Sequence, residues 1–265
     1  MTAFAEQVAK LTKAGNEFSV CTIVNTKGSS PRKTGAKMIV LRDGRISGTI
    51  GGGELEKKVI EDALKIMDEK SPRLLRYDLL HQLNMCCGGT VEVFIEPYMK
   101  KKKLFIFGAG HVGNALANYA VDFEFDVFLV DERKEMFAEI MNDQVNKLNL
   151  AHNHALSVLP FDDETFICIM TYSHPIDREI LAYCLKKSFA YLGMIGSRRK
   201  TEMTKKMFLE AGIGNEEQLA RVDMPMGINI HAEGPAEIAI SIMAKLIEIK
   251  NKKPMEELVV QKKPA

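Results

Sequence analysis

Gly108, Gly110 and Gly113 stand directly after the apolar run Leu104–Phe107 and open a segment of helical character. In that setting the G-x-G-x-x-G spacing has a mechanical meaning. The first glycine permits a tight turn, the second lets backbone approach a pyrophosphate, and the third lets helix and strand pack closely. A helix starting there offers free N–H groups and a partial positive charge to a phosphate. Asp131 follows at the end of the next apolar run. There its carboxylate is placed to accept hydrogen bonds from a ribose diol and to repel a 2′-phosphate. His111, between the glycines, reads as a loop residue near the phosphate rather than a general base. The pattern predicts a Rossmann fold, but a fold does not fix its ligand, so binding of NAD or another nucleotide stays open.

Three further segments suit anions. Gly28-Ser29-Ser30-Pro31-Arg32-Lys33 exposes backbone amides beside Arg32, whose guanidinium can grip a phosphate with two hydrogen bonds. Gly51, Gly52 and Gly53 precede a helix and predict a close-approach anion site at its start. Gly196-Ser197-Arg198-Arg199-Lys200 again follows a strand and opens a helix. Each has a plain alternative: an ordinary turn, a hairpin-to-helix connection, an exposed basic helix start. Together, in a chain without net charge, they favour a polyanionic small molecule.

Cys86 and Cys87 precede Gly88-Gly89. A thiol beside two glycines is either accessible to a metal or sulfur donor, or a small buried apolar group. Cys168 and Cys184 sit in apolar strand and helix patterns and read as core. His174 and Asp177, three residues apart, can share one helix face. Their helix follows a strand, at the sheet edge where ligands bind in open parallel sheets. The alternative there is a capped helix start with a solvated histidine.

The elements that must carry these groups follow from periodicity. A short helix at 2–14, a strand at 18–24, a hairpin through Asp43-Gly44, a helix after Gly53 and strands at 74–78 and 91–96 make a small N-terminal α/β domain, residues 1–99. Lys100–Lys103 reads as a solvated connector. Beyond it, strands at 104–107, 126–130, 165–170 and 190–194 alternate with helices. That rhythm predicts a parallel sheet with helices on both faces across residues 100–265. Hydrophobic residues at 46% suffice for real cores. Lys and Arg at 36 against Asp and Glu at 35 give no global field for nucleic acid or membrane. No apolar run reaches membrane-spanning length, no signal peptide shows, no zinc-finger spacing is present, and the odd count of five cysteines suits a reducing cytoplasm.

The segments GSSPRKTGAKMIV, GTIGGGELE, CGGTVEVFIEP, LFIFGAGHVG, MTYSHPID, YLGMIGSRRK and PMGINIHAEGPAEIAISI, in this order, resemble the XdhC/CoxI family of xanthine dehydrogenase accessory proteins. The resemblance runs from about Phe18 to Ile249. It implies an N-terminal XdhC/CoxI domain before a Rossmann domain. It implies a role without turnover of its own: binding molybdenum cofactor, supporting its sulfuration, and inserting it into xanthine dehydrogenase or a related hydroxylase. Implied partners are that hydroxylase, a cysteine desulfurase and a second copy of the chain. Residue by residue it points to Arg32, Gly51–Gly53, Cys87, Ser197, Arg198, Arg199 and Glu237, and because a thiolate suits a soft metal centre, Cys87 is the expected metal-side contact. Tyr172 stands where the family commonly has His, and His231 where it commonly has Gly.

Two rival functions use the same residues. An NAD-dependent oxidoreductase would use the glycine loop and Asp131, with His174 as acid or base. A nucleotide sensor would bind without turnover and alter partner affinity.

Overall fold

A computed structural model describes residues 2–83, 88–140 and 142–252. The chain divides into two units between Lys101 and Lys102.

The N-terminal unit starts with helix α1 (Thr2–Lys13) and strand β1 (Phe18–Lys27). The hairpin of β2 (Lys37–Leu41) and β3 (Ile46–Gly48) turns at Asp43-Gly44. Helix α2 (Gly53–Glu69), β4 (Arg73–Asp78) and β5 (Thr90–Tyr98) complete it. The strands form one antiparallel sheet in the order β3-β2-β1-β5-β4. Alternation along β1 sends successive side chains to opposite faces. Cys21 and Ile23 meet Leu55, Val59 and Ala63 of α2. Phe18 and Val20 meet Phe4, Val8 and Leu11 of α1 on the other side. Both helices thus bury the stripe their sequences carry.

The C-terminal unit alternates strand and helix. Its strands are β6 (Lys102–Phe107), β7 (Phe125–Val130), β8 (Val145–Leu148), β9 (Phe166–Ile169), β10 (Tyr191–Met194) and β11 (Val222–Asp223). Its helices are α3 (His111–Ala120), α4 (His152–Val158), α5 (His174–Cys184), α6 (Arg198–Glu210), α7 (Glu216–Ala220) and α8 (Pro235–Asn251). All six strands are parallel, in the order β11-β10-β9-β6-β7-β8. This is the doubly wound order, and its switch point lies between β6 and β9. Leu104 and Ile106 pack toward α3 and α8, while Phe105 and Phe107 pack toward α4, α5 and α6. Cys168 and Cys184 are buried thiols in these layers. No described helix is long and apolar enough to cross a membrane.

Two expectations need correction. The lysine run is no simple connector, since Lys102 and Lys103 are the first residues of β6. Lys103 is tolerated there because its Nζ donates to Pro160 O at 2.9 Å and Asp162 Oδ2 at 2.6 Å. Strands β8 and β11 carried no sequence signal; they are short edge strands with few apolar residues.

Phe105 is fully buried, with edge-on contacts to Phe128 and Phe161. Phe105→Ala should cost about 3–5 kcal/mol, read as a lowered denaturation midpoint of the C-terminal unit.

Candidate functional site

Two of the anion-friendly segments, together with the glycines that follow Cys87, lie at one end of the antiparallel sheet. The pairing of Lys27 with Thr90 and of Met38 with Gly48 brings loops 28–36, 49–52 and 88–89 to the same edge. Close backbone approach holds them there. A Cβ on Gly51 would stand 2.5 Å from the Pro31 side chain, and one on Gly89 would stand 2.3 Å from Ser29 O. Glycine is the residue that permits either contact. Arg32 is exposed on this edge. Cys86 and Cys87 lie outside the described residues, so only their neighbours Gly88 and Gly89 are placed.

The sequence predicts an anion site at the glycine run, but the amides of Ile50, Gly51 and Gly52 are not open for a ligand. Glu56, in the first turn of α2, reaches back into the run. One oxygen, Oε1, accepts from the amides of Ile50 at 2.9 Å, Gly51 at 3.1 Å and Gly52 at 2.8 Å, and from the Thr49 hydroxyl. Burial pushes the Glu56 pKa up, but these hydrogen bonds outweigh it and hold the carboxyl below the usual range. The anion that fits this nest is the protein's own. The signal was present as a glutamate in GGGELE, four residues beyond Gly52.

In the C-terminal unit the glycine loop lies at the switch point. A Cβ on Gly113 would stand 1.9 Å from Gly108 O, so the third glycine lets α3 close onto the turn that precedes it. Gly110 caps α3 and has open space where a side chain would be.

Asp131 is not free for a ribose. Its Oδ2 accepts from Ala109 N and Arg133 Nη2, both at 2.9 Å. Its Oδ1 accepts from Arg133 N at 3.0 Å and Arg133 Nε at 2.9 Å. Four donors fill the four acceptor positions of a carboxylate. Burial would raise its pKa, but Arg133 and the two amides keep it below the usual range. Arg133, two residues past a recognisable acid, is the partner sequence reasoning missed. Its guanidinium lies 4.3 Å from the Tyr172 ring, a cation–π contact. The Tyr172 hydroxyl donates to Glu132 Oε1 at 2.7 Å. These groups surround a cavity lined by Phe107, Gly108, Val130, Asp131, Tyr172 and Ile176. It is half open to solvent, with about 20 Å³ of interior space, room for a water.

His174 and Asp177 do come together. Asp177 is buried, and its Oδ1 accepts from Thr171 N at 2.9 Å and Thr171 Oγ1 at 2.7 Å. Burial outweighs these bonds and raises its pKa. His174 Nδ1 stands 3.3 Å from Asp177 Oδ2. The unexpected member is Lys200, whose Nζ lies 2.7 Å from His174 Nε2. Ser197 caps α6, its side chain accepting from Lys200 N. Arg198 and Arg199 are exposed at the start of that helix. Glu237 is turned inward on its own helix start, Oε2 accepting from Glu233 N at 2.9 Å. His231 has φ +57°, the left-handed backbone that glycine adopts freely. Among the described residues no cluster of His, Cys, Asp and Glu could hold a metal ion.

Comparison with known proteins gives a consistent family. Residues 104–246 match the model described as XdhC Rossmann domain, and residues 11–78 match that of the XdhC and CoxI family. YqeB of Escherichia coli K12, described as uncharacterized, is 36% identical over 260 residues, covering 96% of this chain. This chain spans only 47% of that relative's length. A Bacillus subtilis protein described as a probable subunit of xanthine dehydrogenase is 21% identical, covering 95% of this chain and 99% of its own. The molybdenum cofactor insertion chaperone PaoD of Escherichia coli K12 is 21% identical, covering 89% and 85%. A crystal structure described as a xanthine dehydrogenase from Bacillus halodurans shares the fold, with TM-score 0.55, 24% identity, and coverage of 95% of this chain and 97% of that one.

Glu56→Ala should strand the amides of Ile50, Gly51 and Gly52 and cost about 1–3 kcal/mol at neutral pH, with Glu56→Gln losing less. The Glu56 pKa is lower folded than unfolded. Its stabilisation is therefore complete above the ordinary glutamate range and lost as pH falls through the folded value. Urea unfolding at neutral and acid pH should show the wild-type advantage shrinking with acid.

Proposed function

The chain belongs to the XdhC and CoxI family, and from that premise we propose that it is a cytoplasmic accessory protein that binds molybdenum cofactor, supports its sulfuration, and inserts it into a molybdenum hydroxylase such as xanthine dehydrogenase. Its partners would be that hydroxylase, a cysteine desulfurase and a second copy of itself. It would act as a carrier, without turnover of its own.

One observation carries the chemistry. The Gly28-Ser29 turn packs on Gly89, and Gly51 packs on Pro31. Gly89, two residues after Cys87 in the sequence, lies at the same sheet edge that presents Arg32. A thiolate is a suitable ligand for a soft metal–sulfur centre, and an arginine for a phosphate. Cys87 is assigned to the metal side of the cargo, Arg32 to its anionic end, and Arg198 and Arg199 to further anion contacts on the Rossmann unit. The two relatives named for xanthine dehydrogenase and for cofactor insertion support this reading. The oxidoreductase and sensor alternatives lose support from Asp131, whose acceptor positions are all filled within the chain.

The full chain, co-expressed with a source of molybdenum cofactor and purified, should carry pterin that fluoresces after oxidation. Cys87→Ser should lower retained pterin about tenfold or more, since loss of even an outer-shell metal contact costs about 10–100-fold. Replacing Arg198 and Arg199 with alanine should lower it by a smaller factor. Wild-type protein without pterin would overturn the carrier reading, and unchanged retention in Cys87→Ser would remove the thiol from it.

A further inference from the structure

We propose that Lys200 and His174, backed by Asp177, form a binding site for a phosphate group, and that His174 takes up a proton when the anion arrives. The site lies wholly within the Rossmann unit; it adjoins Arg198 and Arg199, assigned above to the carrier role, but its Lys200–His174–Asp177 chain is distinct from them. Helices α5 and α6 follow the neighbouring strands β9 and β10, so their N-termini emerge side by side at the C-terminal edge of the sheet.

The protonation pattern follows from donor counting. A lysine ammonium has donors only, so its 2.7 Å contact makes His174 Nε2 the acceptor. The ring is then neutral, and its proton sits on Nδ1, facing Asp177 Oδ2 at 3.3 Å. That oxygen is buried, on a side chain 2% exposed, and receives no well-aligned hydrogen bond. A buried carboxylate oxygen left in this state is costly. The ammonium, meanwhile, spends its charge on a neutral ring. An anion from outside the chain is the partner that would use the ammonium's charge.

A phosphate set before Lys200 and Nε2 pairs with the ammonium and frees Nε2 from its acceptor role. His174 Nε2 takes a proton from solvent and becomes a donor, and Asp177 then faces an imidazolium. Arg198 and Arg199, exposed at the start of the same helix, have no ion-pair partner among the described residues. Several donors converging from different directions suit a phosphate better than a planar carboxylate. The titratable groups facing the ring are Asp177 on its own helix and Lys200 on α6. On α4, His152 turns instead to Glu179, at 2.9 Å.

The test is calorimetric titration of the full chain with inorganic pyrophosphate, in two buffers of contrasting ionisation enthalpy. Saturable binding with uptake of up to one proton per site is expected. Nitrogen NMR of labelled histidine should show the His174 ring changing from the Nδ1–H tautomer to the doubly protonated form. Lys200→Met and His174→Gln, both at exposed positions, should each weaken binding about tenfold or more. Asp177→Asn, a positioning change, should keep measurable binding but lose the proton uptake. ADP titrated in parallel separates the sources: tighter binding than pyrophosphate assigns a nucleotide, and equal affinity assigns the phosphate group alone. Absence of saturable binding, or binding indifferent to both Lys200→Met and His174→Gln, overturns the proposal. Pterin retention is a separate readout, so either idea can fail without the other.

Discussion

Each unit is organised around a carboxylate that accepts backbone amides from a glycine-bearing turn. In the N-terminal unit Glu56 gathers three successive amides onto one oxygen. In the C-terminal unit Asp131 ties the amide of Ala109, inside the glycine loop, to the turn after β7. A tight glycine turn exposes amides that no strand or helix satisfies, and it is floppy without something to fix it. An ionised side chain at the right depth meets both needs through charge-assisted hydrogen bonds. The turns are therefore shaped before any ligand arrives. What remains for a ligand is the surface those turns display.

This explains which parts of the molecule could be read in advance. The long amphipathic helices, the Asp43-Gly44 hairpin and the strand-helix rhythm after Lys103 all rest on periodicity, and periodicity is visible along a chain. Cys168 and Cys184 lay in apolar patterns, and both are core. The edge strands β8 and β11 were invisible because pairing with a neighbour, rather than their own residues, makes them strands. Lys102 and Lys103 misled for a similar reason. Four like charges suggest water, yet a partner 59 residues away in Asp162 lets Lys103 belong to a strand.

The candidate site was legible as residue types and not as pairings. The glycines, Asp131, His174 and the arginines of the Gly196–Lys200 turn were all visible. That Glu56 fills the amide nest, that Arg133 saturates Asp131, and that Lys200 reaches His174 across 26 positions are facts of three-dimensional placement. Sequence shows which groups are able to receive an anion. Only the fold shows which of them already have one.

The tyrosine at position 172 brings a different matter into view. Its ring rests under a guanidinium and its hydroxyl is tied to Glu132, so it is fastened at both ends although it is exposed. It thus joins the loop after β9 to the turn after β7, the two strands that flank β6 and its glycine turn. The rim of the sheet on both sides of the switch point is held by one aromatic side chain and two charged partners.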